Sequence, residues 1–442
     1  VKLLIYGLGR SGLAAAQLAD RQGHELWYYD RRLTAHDAGE MARLAAVLCP
    51  EPSQAEVDLC IAAPGVPWDH PDLLALRRRG IEVIGEVEWV YRTVPAEIVG
   101  ITGTAGKTTV TRWLGDVLAA GGVRVAVGGN IDPALSAVAE SGKLLVAELS
   151  SFMLERCPTL KPKLAVLLNL GVDHLDRHGS VAAYHAAKRQ LIANFDETSA
   201  LVYNQDDPLL QEWARTTPAS TYGYSLTHPT HAWLKGETLM LLGQPLLATS
   251  ELRLSGRHFQ ANALAVALAA SVLGLDTAAI RQGLRSFAGV AGRYSLVAQV
   301  EGIRFIEDSI ATRTLAVAAA LAETPAPVVW IAGGVDKGAD LASLQPLIQD
   351  RVALFIGIGR SGPDFAARVS GWTPTLICPE SDGKAALRSA CSLAVGFLHR
   401  YHHGQGSVLL APLAASFDQF ADYRARAAAF REAVGEAAWT RP

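Results

Sequence analysis

Two glycine-rich turns carry the residues with the clearest chemical meaning. The stretch Gly103-Thr104-Ala105-Gly106-Lys107-Thr108-Thr109 follows the apolar run Ile98–Thr102 and precedes a helical pattern. In such a turn successive backbone N–H groups surround phosphates, the Lys107 ammonium reaches the β- and γ-oxygens, and the Thr108 hydroxyl can hold Mg2+. A strict phosphate-loop pattern wants glycine where this chain has Ile101. A Gly-Lys-Thr at a strand–helix junction with flanking glycines is rarely only a turn, so ATP binding is the favoured reading. A bound nucleotide needs a metal. Glu148 closes the apolar run Leu144–Ala147, where a carboxylate can reach Mg2+ directly or through water. Asp173 and His174 follow the run Ala165–Asn169. His174 and His178 stand four residues apart, but without a matching third ligand or an HExxH form zinc is set aside. Lys188 falls in a helical pattern and, taken alone, reads as a solvated surface lysine.

The other turn lies near the start of the chain. Gly7, Gly9 and Gly12 form GxGxxG between the run Leu3–Tyr6 and an apolar helix, and Asp30 ends the next strand. This is the dinucleotide fingerprint in its proper setting, with glycines allowing close backbone approach and a helix N-terminus facing phosphate. Three readings stay open: an NAD(P) site, a ligand-free tight turn, and a Rossmann-like domain for another nucleotide such as UDP.

The elements that must position these residues alternate strand and helix almost throughout. Apolar runs at Val328–Ala332, Ala353–Gly357 and Val408–Ala411 join those above, and Thr108–Ala120 reads as an amphipathic helix. Fully apolar strands between helices predict an α/β fold with mostly parallel sheets covered on both faces. The chain has 442 residues, half of them hydrophobic. At about 150 residues per domain that suggests three domains. Joints are expected near Arg92–Ala96 and Ala288–Gly292, and a β-rich stretch near Leu201–Leu254 lies between them. With 40 Lys plus Arg against 43 Asp plus Glu, there is no basic excess for nucleic acid. Five cysteines without a CxxC pair suit a reducing cytoplasm. The run Phe259–Leu275 contains Gln260, Asn262, Ser271 and Gly274, so it reads as a buried helix rather than a membrane span. The opening segment runs straight into its glycine turn, as a folded start rather than a signal peptide.

The order of these segments resembles the Mur ligases. GTAGKTT is followed by GGN at 128–130, ELSSFMLE at 148–155, NLGVDHLDRH at 169–178 and Lys188. With GLGRSG at the start, DSIATR at 308–313, GGVDKGADL at 333–341 and APLAASFDQF at 411–420, the chain is most similar to the branch that adds D-glutamate to UDP-N-acetylmuramoyl-L-alanine. The resemblance implies a Rossmann-like first domain over 1–94, a central ATP-binding domain over 95–289 and a Rossmann-like amino-acid domain over 290–442. It implies that Gly7, Leu8, Gly9, Arg10, Ser11 and Gly12 serve the UDP pyrophosphate, Asp30 and Arg31 the uridine side, and Ala63, Pro64 and Gly65 the pocket wall. Asn130 and His174 would reach the muramoyl-peptide end. Gly103, Thr104, Ala105, Gly106, Lys107, Thr108 and Thr109 would hold ATP with Asn262, Arg293 and Asp308. Thr108 and Glu148 would hold one Mg2+ and His174 a second, with Lys188 carbamylated beside them; Lys107, His174 and Lys188 would be catalytic. Thr312, Lys337, Ser416 and Tyr423 would hold D-glutamate. A cytoplasmic monomer acting in peptidoglycan synthesis follows from the same resemblance, with no nucleic-acid partner and no membrane insertion. Ala105 and Ile310 stand where the family usually has Asn and Lys. These differences keep a second expectation in view, a nucleotide-binding relative with weak or altered activity. An NAD(P) oxidoreductase would leave the second glycine turn and all that follows it unexplained.

Overall fold

The computed structural model describes residues 1–254, 256–290 and 292–437. They form three sheets. The first holds β1 (Lys2–Tyr6), β2 (Glu25–Tyr29), β3 (Val47–Leu48), β4 (Leu59–Ala62) and β5 (Glu82–Ile84), in the order β3-β2-β1-β4-β5. All its pairings are parallel. Strand order therefore reverses between β1 and β4, and a doubly wound sheet opens a crevice beyond the carboxyl ends of such a strand pair.

The second sheet comprises β6 (Glu97–Thr102), β7 (Val125–Gly129), β8 (Leu144–Glu148), β9 (Leu164–Leu167), β10 (Ala200–Asn204), β11 (Ser220–Ser225), β12 (Ala232–Lys235), β13 (Thr238–Leu241) and β14 (Gln244–Ala248). Its order is β14-β13-β12-β11-β10-β9-β6-β8-β7. The β-rich stretch near 201–254 thus extends this sheet. It joins in parallel through β10, β11 and β12, and ends in the antiparallel pairs β12–β13 and β13–β14. The apolar segment near 259–275 is the helix Arg257–Val272, buried over most of its length.

These two sheets belong to one compact unit, Val1–Leu252 with Arg257–Phe287. A continuous apolar core explains this, since Ile84, Val87 and Val90 join Ile98, Leu135 and Leu145 in one cluster. The helix Glu86–Thr93 carries two buried carboxylates across the joint. Glu86 accepts from the Ser136 amide at 2.6 Å and its hydroxyl at 2.8 Å, while Glu88 accepts from the Thr159 and Leu160 amides and from Arg92. Both Glu86 bonds fall on Oε1, its Oε2 has no hydrogen-bond partner among the described residues, and burial pushes the Glu86 carboxyl up, whereas both Glu88 oxygens are engaged.

The second unit, Ala288–Pro442 with Arg253–Gly256, contains the third sheet. Its strands are β15 (Ser295–Val300), β16 (Ile303–Glu307), β17 (Val328–Gly333), β18 (Val352–Ile358), β19 (Thr375–Ile377) and β20 (Gly406–Leu410), ordered β15-β16-β20-β17-β18-β19. Only the β15–β16 hairpin is antiparallel. All five cysteines are buried free thiols. Among the described residues, no helix is long and apolar enough to cross a membrane.

In the first turn Gly12 is required by packing. A Cβ there would fall on the Gly7 carbonyl oxygen, whereas one at Gly9 would meet nothing. Gly12→Ala is therefore expected to cost about 1–3 kcal/mol of stability, and Gly9→Ala to lie within about 0.5 kcal/mol of the parent. Urea unfolding of both variants checks this, and equal midpoints would sink the packing account.

Candidate active site

The phosphate loop leaves β6 at Thr102, whose hydroxyl donates to the Leu149 carbonyl at 2.7 Å. Gly106 sits at φ +83°, and a Cβ there would lie 2.8 Å from Asn262 Oδ1. Glycine is thus demanded twice, by its left-handed backbone and by the asparagine that the helix Arg257–Val272 presses against it. The helix Lys107–Ala120 starts immediately afterwards and aims its N-terminal amides at the loop. Lys107 Nζ folds back to the carbonyls of Gly103 at 2.9 Å and Thr104 at 3.0 Å.

Asn169, noted in the sequence only as part of a motif, shapes this loop. Its Oδ1 accepts from the amides of Thr104 at 3.1 Å and Ala105 at 2.8 Å, and its Nδ2 donates to the Ala105 carbonyl. The strand β9 ends at Leu167, short of the Asn169 expected from the apolar run, although the Leu168 amide still donates to the Thr102 carbonyl at 3.0 Å. Thr104 is held from the other side, accepting from the Gly171 amide at 2.8 Å and the Tyr184 hydroxyl at 3.2 Å.

Below the loop, Thr108 Oγ1 donates to Glu148 Oε2 at 2.6 Å, and Asn130 Nδ2 donates to Glu148 Oε1 at 2.9 Å. Glu148 is only 1% exposed. Hydroxyl and carboxylate oxygens converging beside a phosphate loop fit Mg2+, a hard cation that takes few protein ligands and completes its shell with phosphate and water. Among the described residues no group of three His, Cys, Asp or Glu side chains is placed to hold a metal, as expected for such a mixed set.

Lys188 is not a surface residue. It is 1% exposed and donates to the Gly103 carbonyl at 2.8 Å, the same oxygen that Lys107 uses. Burial, and secondarily the Lys107 charge, push its amine down to about 7. Beside it lie Tyr184, whose ring centroid is 4.6 Å from Lys188 Nζ, and His174, whose ring centroid is 6.2 Å from that of Tyr184. His174 holds a left-handed backbone at φ +52° and faces Phe152 at 4.7 Å. His178 has both ring nitrogens engaged, Nε2 with Ser151 Oγ at 2.9 Å and Nδ1 with Glu155 Oε1 at 3.1 Å.

A cavity of about 350 Å³ opens at the reversal point between β1 and β4. Gly7, Gly9, Arg10, Ser11, Asp30, Ala63, Pro64, Gly65 and Asn130 line it. Leu8, Gly12 and Arg31 do not. Leu8 is buried and gives its amide to Asp30 Oδ2 at 2.6 Å, Gly12 packs behind the turn, and Arg31 is exposed. Asp30 therefore holds the glycine turn itself as well as bordering the cavity. Asn130 borders the cavity and holds Glu148, and its carbonyl accepts from Arg10 at 3.4 Å, linking the cavity to the Thr108–Glu148 pair.

In the second unit, Asp308, Thr312, Lys337 and Ser416 lie on loops leaving the carboxyl ends of β16, β17 and β20. Those loops are cross-tied by Leu413 N to Ala311 O at 2.9 Å and by paired bonds between Val335 and Ala415. Buried Arg426, which the sequence did not mark, donates to the carbonyls of Ser309 at 2.8 Å and Ala414 at 3.1 Å. Burial and the adjacent Glu307 push the Asp308 carboxyl up to about 7. Lys337 is exposed, Ser416 is buried, and the ring of Tyr423 lies against Gly292, one residue before Arg293.

A family model described as the Mur ligase middle domain matches residues 101–270. A UDP-N-acetylmuramoylalanine–D-glutamate ligase of Thermus thermophilus is 45% identical, with 99% of each chain covered. The ligase of the same name from Deinococcus radiodurans is 41% identical, over 98% of this chain and 92% of its own length. Among solved structures, the UDP-N-acetylmuramate-alanine ligase MurC of Thermotoga maritima superposes with a TM-score of 0.59 at 19% identity, covering 98% of this chain and 99% of its own. A MurF ligase of the same organism, in complex with ADP, gives 0.57 at 16%, covering 98% of each chain. At those identities the likeness is one of fold.

Lys188 binds its proton more weakly in the folded chain than in the unfolded one. Stability should therefore rise with pH between about 7 and about 10.4, where the unfolded state binds more protons. Lys188→Met removes that rise. Urea midpoints of parent and variant from pH 7 to 10 check it, and parallel curves would refute it.

Proposed function

The chain belongs to the Mur ligase family, and from that premise we propose that it joins D-glutamate to UDP-N-acetylmuramoyl-L-alanine, with cleavage of ATP to ADP and phosphate through phosphoryl transfer to the alanine carboxylate. The observation that carries this reading is the phosphate loop set directly above the Thr108–Glu148 pair, with Lys107 and Lys188 on one carbonyl and Asn130 reaching to the nucleotide cavity. The reaction belongs to peptidoglycan precursor synthesis, and we place it in the cytoplasm, in a monomer.

The segments 1–94, 95–289 and 290–442 divide the work. The cavity at Gly7, Arg10, Asp30 and Ala63–Gly65 takes the UDP moiety, with the glycine turn and its helix N-terminus at the diphosphate. Gly103–Thr109 with Asn262 takes ATP. Thr108 and Glu148 hold one Mg2+ and His174 helps hold a second; when bound, these ions neutralise the charge gathering on the transferred phosphoryl group. Lys188, with its lowered proton affinity, presents a neutral amine that adds to CO2, losing a proton to become an anionic carbamate with oxygen donors. Arg293 and Asp308 contact the nucleotide, and Thr312, Lys337, Ser416 and Tyr423 hold D-glutamate, whose two carboxylates need cationic or hydroxyl partners.

The alanine carboxylate attacks the γ-phosphorus, the bond to the ADP oxygen breaks, and an acyl phosphate forms. The D-glutamate amine then attacks the acyl carbon, gives up a proton, and expels phosphate. Lys107 exchanges its loop carbonyls for the phosphoryl oxygens, an electrostatic contribution that Lys107→Ala should reveal as about a 100-fold or greater loss in kcat/KM.

ADP release is measured with UDP-N-acetylmuramoyl-L-alanine, ATP and Mg2+, adding D-glutamate, L-glutamate or D-aspartate, and product mass is read alongside. Release that depends on D-glutamate with a matching ligated product is expected. ATP binding without release for any of the three would overturn the assignment and leave a nucleotide-binding relative of altered activity, with Ile310→Lys as the variant to restore it.

A further inference from the structure

The wall of the nucleotide cavity is held from behind by two arginines of the central segment that touch neither glycine turn. The turn Ala63–Val66 lines the cavity. Arg156, fully buried, donates to the Ala63 carbonyl at 2.6 Å and to the Val66 carbonyl. Arg177 donates to the same Val66 carbonyl at 2.9 Å. Charge-assisted bonds of this kind are stronger than neutral ones and fix direction as well as distance. Trp68, just after the turn, lies between the Arg77 guanidinium at 3.4 Å and that of Arg156 at 5.3 Å from its ring centroid.

Arg177 is in turn oriented by its own neighbours. Glu155 Oε2 lies 3.8 Å from it, and the Phe152 ring lies 4.8 Å beneath its guanidinium. The other Glu155 oxygen meets His178, whose second nitrogen meets Ser151. Two guanidinium groups thus converge on one turn, with the Glu155 carboxylate beside Arg177. The cavity in front of them is bordered by one cation, Arg10, and one carboxylate, Asp30. Burial, and secondarily the neighbouring Arg177 charge, pull the Arg156 guanidinium down to about 10.

We propose that Arg177 and Arg156 are positioning residues for the UDP-linked substrate, acting through the Ala63–Val66 carbonyls to set the cavity wall without touching ATP or the reacting atoms. This rests on the reading of the cavity as the UDP site.

The test uses the full chain and measures Kd for UDP-N-acetylmuramoyl-L-alanine and for ATP with Mg2+ by calorimetry, together with KM and kcat. Arg177→Met should weaken the UDP-linked substrate about tenfold or more, with ATP affinity and kcat within about threefold. Arg177→Lys, which keeps one charged donor, should recover part of that loss. Arg156→Met should act in the same direction but risks misfolding, so the partly exposed Arg177 carries the decision. Unchanged affinity in Arg177→Met, or equal losses for both ligands, would overturn the inference alone. Parent protein that binds ATP but no UDP-linked ligand would overturn the functional reading and this inference with it.

Discussion

One buried carboxylate organises the phosphate-loop end of the first unit. Glu148 spends one oxygen on Thr108 and the other on Asn130, so the phosphate-loop helix, the end of β8 and the rim of the cavity beside Gly7 and Asp30 converge on a single side chain. A carboxylate removed from water is tolerated only when its oxygens are satisfied and cations lie near. The hydroxyl and the amide meet the first condition. A bound Mg2+ would meet the second.

Topology explains why the functional loops are neighbours at all. In the second sheet β6 lies between β8 and β9, so the loops after these three strands emerge side by side. They carry the phosphate loop, Ser150 to Glu155, and Asn169 to His178 respectively. In the first sheet the reversal between β1 and β4 opens the cavity between two loops that are more than fifty residues apart in sequence. In the third sheet β20 inserts between β16 and β17, which brings Thr312, Lys337 and Ser416 onto adjoining strand ends. Each case is the same rule for parallel sheets, applied at a different strand order.

Carbonyl oxygens tie these loops together as carboxylates do. Lys107 and Lys188 meet on Gly103, Arg156 and Arg177 on Val66, and Arg426 spans Ser309 and Ala414. A cation bonded to a carbonyl keeps its net charge. These bonds fix the backbone of the loops that border the candidate sites.

Local chemistry made much of this legible in the sequence. The apolar runs became strands within a residue or two, because fully buried parallel strands must be apolar throughout, and both glycine turns announced themselves because phosphate-facing backbone needs glycine. Gly106, Lys107, Thr108 and Glu148 were identifiable from spacing, since their partners lie on the same or the next strand–helix unit. Lys188 read alone as a surface lysine, Asn169 and Arg177 stood only as letters of a longer motif, and Arg156 and Arg426 carried no signal. Their partners are main-chain carbonyls and amides, which every residue possesses and no letter of the sequence distinguishes. Only the packing of one strand end against another decides which of those groups a side chain meets, and with it whether a lysine is solvated or buried with a proton it scarcely holds.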